Sequence, residues 1–495
     1  IVKITLQSKL IVNHTIYNIP LYQPIIKAMI KNRIIPIFLV LLSYASVANA
    51  QGRRMRKITA PGQPIEIQLT PYKTTMIGDG KDTALMSVKI IDRDGKVVAD
   101  AKENITFHIK GDAKIINIHD ADFSSAIKTD STIQIPVTGS CWVVLQAGPT
   151  RGIIKIDAKS DTLYTGSTEI HTVQPGIPHP VTTADYKPVK VKGKILGADI
   201  SFLPELEARG MKFSDNGVPG DPIEIMKAHG FNYIRLRIFV NPANPKGYSP
   251  GKGFCDLAHT EAMAKRVKAA GMKFLLDFHY SDYWADPQQQ NKPLAWVGEN
   301  FPALKKSLYD YTVSVMTALK AQGTTPDMVQ VGNEINHGMD WQDGEINNLD
   351  SLAQLLYAGV TAVKSVSPST IIMLHIALGG QNAEARFFVD NMLARKVPFD
   401  VIGLSYYPKW HGTPEDLKNN MADLATRYKQ EVMVAEYSQL KQEVNDIAFT
   451  VPNGKAVGSF IWEPISSWEG IFDRDGKSNA YMNIYPGIAK QYDVK

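Results

Sequence analysis

From Pro61 to about Gln174 the chain alternates apolar and polar positions in short runs: IEIQLT, LMSVKIID, ITFHIK, WVVLQA and GIIKIDAK. Turns such as DRDG (92–95) and KGD (110–112) separate them. A period of two puts successive side chains on opposite faces of a strand. Several short strands at regular spacing predict a β-sandwich over residues 61–174. PGIPHP (175–180) then opens a stiff linker, taken as 175–193.

From Lys194 the pattern changes. Apolar runs now alternate with helical stretches of about ten to fifteen residues, which predicts a parallel sheet. The runs are ILGADIS, YIRLRIFV, KFLLDFHY, MVQVGNEI, IIMLHIAL, VIGLSYYP, VMVAEYS and GSFIWEP, eight in all. Between them, DPIEIMKAHG reads as a helix with Asp221 as N-cap, Pro222 in the first position and Gly230 as the stop; HTEAMAKRVKAAG ends at Gly271. Eight βα units over residues 194–495 match a TIM (β/α)8 barrel, of the α/β class. A doubly wound sheet is the alternative.

Ahead of the sandwich, residues 1–50 read as a leader. From Met29 the sequence is MIKNRIIPIFLVLLSYASVANA, with Lys31 and Arg33 as the positive region, Ile34 to Leu42 as the apolar region and Ala48-Asn49-Ala50 as the cleavage site. Met29 is the expected start, with residues 1–28 an over-extended reading frame. Cleavage is expected after Ala50, and export to the periplasm or the cell exterior follows. The leader changes the meaning of the charge. The whole chain is formally +5, but Lys3, Lys9, Lys27, Lys31 and Arg33 lie in the first fifty residues with no acid among them. Without those five the balance is about zero, which predicts no nucleic-acid partner and no membrane partner after cleavage. Cys141 and Cys255 are far apart, form no metal-type spacing and are read as thiols in different domains.

In a TIM barrel chemistry sits at the C-terminal strand ends, and here those ends are polar. The first strand ends on Asp199. The second carries Arg235 and Arg237, two apart and so on one face. The third holds Asp277 and His279, then Tyr280-Ser281-Asp282. The fourth ends on Asn333-Glu334, the fifth contains His375, the sixth ends Ser405-Tyr406-Tyr407, the seventh on Glu436 and the eighth on Trp462-Glu463. Any one of these has an ordinary structural explanation. Their convergence on one rim does not, because burying unpaired charge is costly. No HExxH, nucleophile elbow or phosphate loop is present. A pair of carboxylates, Glu334 and Glu436, remains, and two carboxylates flanking a bond are the apparatus of glycoside hydrolysis. One must stay protonated and the other ionised; Arg235 or Arg237 could supply the cation that favours ionisation. Flat aromatic rings suit sugar faces, and Trp284 in YSDYWADP and Trp410 in YYPKWHG directly follow strand ends, whereas Trp296, Trp341 and Trp468 are open between cleft and core.

Two resemblances add to this reading. GDGKDTALMSVKIIDRDGKVV, ITFHIKGDAKI and GIIKIDAKSDTL resemble the immunoglobulin-like domains of bacterial family 2 β-galactosidases. That resemblance implies an immunoglobulin-like fold for residues 61–174, read as a spacer or packing domain rather than a carbohydrate-binding module. GADIS, YIRLRIFVNP, GMKFLLDFHYSDYWADP, VQVGNEI, DVIGLSYYPKWHG and FIWEP, spread over residues 194–476, resemble the endo-β-1,4-galactanases of glycoside hydrolase family 53. This implies a retaining clan A enzyme cleaving β-1,4-galactan of pectin or type I arabinogalactan, with Glu334 as acid/base and Glu436 as nucleophile. It also implies Asn333 on the sugar 2-OH, and one strand-2 Arg, His279, Tyr406 or Tyr407 and Trp462 around the cleaved sugar. Some bacterial members bind calcium near the loop after the strand-7 Glu; no acidic cluster stands there in this chain, so no cofactor is expected. A polysaccharide substrate and a monomer complete the expectation. The alternatives are another clan A glycanase, on a mannan or β-glucan, and a non-catalytic glycan-binding barrel.

Overall fold

The computed structural model describes residues 9–12, 15–18, 62–120, 132–173, 186–466 and 469–495. The leader's signal segment, the first part of the linker and Trp468 lie outside the described residues. The chain divides into two units, Ile1–Ile58 and Thr59–Lys495. In the first, Lys9–Val12 and Thr15–Asn18 pair antiparallel.

The second unit opens with the expected sandwich. One sheet orders the strands Glu66–Pro71, Thr83–Ile91, Ser140–Ala147 and Ala113–Asp120. The other orders Thr75–Ile77, Gly166–Val173, Gly152–Lys159, Lys102–Lys110 and Thr132–Thr138. Alternation does the sorting: Cys141, Val143, Leu145 and Ala147 are buried while their neighbours are half-buried. Cys141 thus belongs to the sandwich core and Cys255 to the barrel.

Eight strands close the barrel: β1 Ile195–Asp199, β2 Tyr233–Ile238, β3 Lys273–Phe278, β4 Met328–Val331, β5 Ile371–Ile376, β6 Val401–Tyr406, β7 Glu431–Tyr437 and β8 Ala456–Trp462. The N-caps fall as expected. Asp221 accepts the Ile223 amide at 2.8 Å, and Asp256 starts the helix Leu257–Ala269 by accepting the His259 amide at 2.9 Å.

Inward positions follow a period of two with a change of character along each strand. The lower inward set, Ile195, Tyr233, Leu275, Met328, Met373, Val401, Met433 and Phe460, forms an apolar plug. Gly197 leaves room for it, since a Cβ there would lie 2.2 Å from the Phe460 ring. Two residues further on, the same faces carry Arg235, Asp277, Gln330 and His375. Strand β7 departs from strict alternation. Ala435 packs in the inner plug, yet Glu436 also points inward, because a bulge pairs Ser405 with Glu436 directly after Leu404 with Val434. Bulges re-aim side chains next to active sites, and this one turns Glu436 into the barrel.

The end of the linker is not a free tether. Tyr186 Oη and the Val189 amide donate to Asp400 Oδ1, each at 2.7 Å, and the Val191 amide donates to Glu431 at 2.7 Å. Asp400 also accepts the Ile372 amide at 2.8 Å, so this strap closes the barrel floor beside β5, β6 and β7. Asp400→Ala removes the acceptor of the buried Ile372 amide and of the part-buried strap donors and is expected to lower stability by about 2–3 kcal/mol in urea unfolding, with new proteolysis within 186–193.

Candidate active site

Arg235 is the centre of the barrel mouth. Its side chain is 1% exposed and its donors are fully used. Nη1 donates to Asp199 at 2.9 Å and to Glu436 at 2.6 Å; Nη2 donates to Asp277 at 2.8 Å, Gln330 at 3.0 Å and Asn333 at 2.9 Å. One guanidinium therefore binds three carboxyl groups contributed by β1, β3 and β7. Burial alone would push the Asp277 carboxyl up, but Arg235 and His279 hold it below the usual carboxylate range. His279 Nδ1 accepts the Ala285 amide at 3.1 Å, which leaves Nε2 to donate to Asp277 at 3.1 Å.

Glu436 is held by two donors, Arg235 on one oxygen and Tyr407 Oη on the other at 3.1 Å. Burial pushes the Tyr407 hydroxyl far above its ordinary value, so it remains a donor. Burial likewise raises Glu436, with Asp199 and Asp277 adding to the effect and Arg235 opposing it.

Glu334 sits in a different environment. Among the described residues no cation pairs with it, and burial followed by the charge of Glu436 raises it well above the carboxylate range. Its hydrogen bonds have a direction fixed from the far end. Arg235 can only donate, so the atom of Asn333 facing it is Oδ1. That oxygen lies 3.0 Å from His375 Nδ1, which must then carry a proton. Burial and Arg235 keep His375 neutral, so its Nε2 is an acceptor and takes the Ser405 hydroxyl hydrogen at 2.9 Å. Ser405 Oγ lies 2.5 Å from Glu334 Oε1 with its one hydrogen committed, so the bond is satisfied when Glu334 donates. The relay Asn333–His375–Ser405 thus favours protonated Glu334. Of the two carboxyls, Glu334 keeps the proton and Glu436 gives it up first.

A wall of rings lines the other side. Arg237 pairs with Glu463 at 2.5 Å, and its guanidinium lies 4.3 Å from the centres of both the Phe202 and Trp284 rings. Trp462 stands 6.2 Å from each of these rings. Cys255 lies under this cluster, its thiol pushed up to about 12 by burial. Trp410 is 43% exposed and packs on Tyr407 at 5.8 Å.

Two expected contacts are corrected. Tyr406 is fully buried between barrel and helices and donates to the Gly412 carbonyl at 3.1 Å; along β6 it is Ser405 and Tyr407 that face the mouth. Asp282 is a loop staple, accepting the Asn241 and Leu294 amides at 2.8 Å and Asn244 Nδ2 at 2.7 Å. Trp296 is core, and Trp341 donates to the His337 carbonyl at 3.0 Å.

Comparison with known proteins decides the family. The model of glycosyl hydrolase family 53 matches residues 195–450, and that of the glycoside hydrolase family 2 C-terminal domain 5 matches residues 67–169. The chain belongs to glycosyl hydrolase family 53. A Niallia circulans protein described as an uncharacterized protein in the bgaB 5' region is 45% identical over 257 residues, 50% of this chain and 68% of its own length. The endo-beta-1,4-galactanase of Bacillus subtilis (strain 168) is 37% identical over 305 residues, 60% of this chain and 67% of its own. The barrel is similar to the solved Ignisphaera aggregans GH53 catalytic domain, with a TM-score of 0.57 and 32% identity, covering 63% of this chain and 99% of that one.

As a family 53 glycosidase, the chain assembles its candidate site from residues on all eight strands or their ends. Gln330 was not singled out from sequence, and Glu463 was read only as a polar strand end. Gln330 interrupts the apolar run MVQV at an inward position, which is the signal that could have found it. The calcium implied by some relatives does not fit here. Glu469 is engaged by Lys441 and Gln439, and Asp473 accepts turn amides. Among the described residues no group of three His, Cys, Asp or Glu side chains is arranged to hold a metal. His375→Phe removes the acceptor that occupies Ser405, whose hydroxyl then turns to the Glu334 carboxylate and favours its ionised form. The alkaline limb of the pH profile for glycoside hydrolysis is expected to move down by about one unit.

Proposed function

We propose that this family 53 glycosidase is a retaining endo-β-1,4-galactanase acting on the galactan side chains of pectin and type I arabinogalactan. The observation that carries the mechanism is the opposite treatment of two carboxyls, one half-buried and one buried: a proton-directing relay on Glu334, and a guanidinium with a phenol on Glu436. Glu436 attacks the anomeric carbon while Glu334 protonates the departing glycosidic oxygen. Water then attacks the galactosyl-enzyme with Glu334 as base, and the configuration is retained. Asn333, pinned by Arg235, takes the 2-OH.

The charge of the centre supports this chemistry. Arg235 faces the carboxyls of Asp199, Asp277 and Glu436, an excess of negative charge suited to an oxocarbenium-like transition state. Trp284, Trp462 and Trp410 offer ring faces to the flanking sugars. The galactan reading is supported by the name of the Bacillus subtilis relative. Export follows from the leader pattern. A monomer suffices, since one chain supplies every group of the centre.

Wild-type protein is expected to release reducing sugar from β-1,4-galactan and not from mannan or β-glucan, with the β-anomer appearing first by proton NMR. Release from mannan or β-glucan instead would point to another clan A glycanase, and no release to a binding protein. Glu436→Ala is expected to abolish turnover, and Glu334→Ala to lower it by about 10²–10⁴-fold on galactan. Activity requires Glu436 ionised and Glu334 protonated. It is therefore lost as pH falls through the first transition and as it rises through the second. Both are displaced upward from ordinary carboxylates, so the bell is displaced with them.

A further inference from the structure

The sandwich grips the barrel on its catalytic rim. Gln68 donates to the Pro408 carbonyl after β6, and Lys89 pairs at 2.7 Å with Asp416, which caps the following helix. Arg151 pairs with Glu345 in the loop after β4. The deepest contact is polar and buried. Thr74 Oγ1 lies 2.9 Å from His337 Nε2 and donates to Glu384 Oε1 at 2.6 Å; the Thr74 amide donates to the other Glu384 oxygen, and Thr75 Oγ1 to the first at 3.1 Å. His171 stacks on His337 with ring centres 4.0 Å apart. Thr74, His337 and Glu384 are each less than a tenth exposed.

His337 is the last residue of the 3₁₀ turn Ile335–His337, and that turn begins at Glu334. Glu334 itself has φ +49°, a left-handed conformation that costs an ordinary residue about 1 kcal/mol or more. Such a conformation persists only where the surroundings fix it. From the barrel side, Pro287 accepts from His337 Nδ1 at 2.8 Å, and Gln290 donates to the Asn333 carbonyl at 2.8 Å. From the other side, the turn is held by the sandwich.

We propose that Thr74 and His171 are positioning residues of the glycosidase: by clamping His337 against Glu384 they hold the left-handed turn that presents Glu334 to the leaving oxygen. The sandwich is then a working part of the active site and not a spacer. This rests on the assignment of Glu334 as acid/base, and the test separates the two ideas.

The full chain is compared with Thr74→Val, Thr74→Ser and His171→Ala on two substrates: β-1,4-galactan, whose leaving group needs a proton, and a 2,4-dinitrophenyl β-galactobioside, whose leaving group does not. The readout is kcat/KM, which reports the first bond-breaking step. Thr74→Val and His171→Ala are expected to lose about tenfold on galactan, as misplacement of an acid group does, with little change on the dinitrophenyl substrate. Thr74→Ser keeps the hydroxyl and is expected to match the wild type on both. Wild-type values on galactan for both Thr74→Val and His171→Ala overturn the proposal. So does an equal loss on the two substrates with a lowered unfolding temperature, which marks a merely structural contact. Should one variant fail to fold, the other decides. Glu334→Ala runs alongside. Its selective loss on galactan, with azide restoring turnover of the dinitrophenyl substrate, supports the acid/base assignment; an equal loss on both substrates sinks that assignment whatever the sandwich variants do.

Discussion

A single buried guanidinium sets the conditions for everything around it. Arg235 cannot lose its proton and cannot be left unpaired in the barrel, so its donors must all find acceptors. Asp199, Asp277, Gln330, Asn333 and Glu436 meet that need from four strands, β1, β3, β4 and β7, or their ends. In meeting it they become fixed themselves. The amide of Asn333 can face only one way, which fixes the tautomer of His375, the rotor of Ser405 and the proton of Glu334. The same cation stabilises the ionised form of Glu436. Glu334 and Glu436 are thus set apart by one side chain that reaches the first only through a chain of hydrogen bonds.

Much of this was legible in the sequence, for a physical reason. Strands buried on both faces read as apolar runs, and helix ends carry side-chain and glycine punctuation that depends on local geometry alone. The eight strands and the polar residue at each end follow from those two signals, and Glu334, Glu436, Asn333 and Arg235 meet as their positions suggested. What was not legible depends on side-chain direction at a strand exit. The bulge at Ala435 leaves no mark in VMVAEYS, and strict alternation would have turned Glu436 away. Tyr406 and Tyr407 are identical in type and adjacent, so only the barrel decides which faces inward. Asp282 looks like its neighbour Asp277, yet three loop donors consume it. The seat of the sandwich is equally silent, because Thr74 and His171 are ordinary polar positions until a second domain lies against them.

The two ends of the barrel have divided their tasks. The floor is an apolar plug closed by the strap at residues 186–193, whose amides end on Asp400 and Glu431. The mouth is charged, hydrogen-bonded and covered on one side by the sandwich. Aromatic residues from the loops after β1 and β3 and from the end of β8 form the facing wall. Each of the two carboxyls therefore has a neighbour of its own kind: Glu436 the cation at the centre, Glu334 the relay and the domain beyond it.

The left-handed exits of the strands carry a consequence for how this chain can change. Glu334 at φ +49° and Glu463 at φ +43° both hold a conformation that glycine or asparagine would adopt with less strain. Relief of that strain is the simplest local route to a more robust molecule, and it is closed at both places, because one side chain carries the proton and the other balances Arg237. Strain of this kind can be relieved instead at left-handed residues outside the mouth, such as Lys396 at φ +61° and Asp493 at φ +52°.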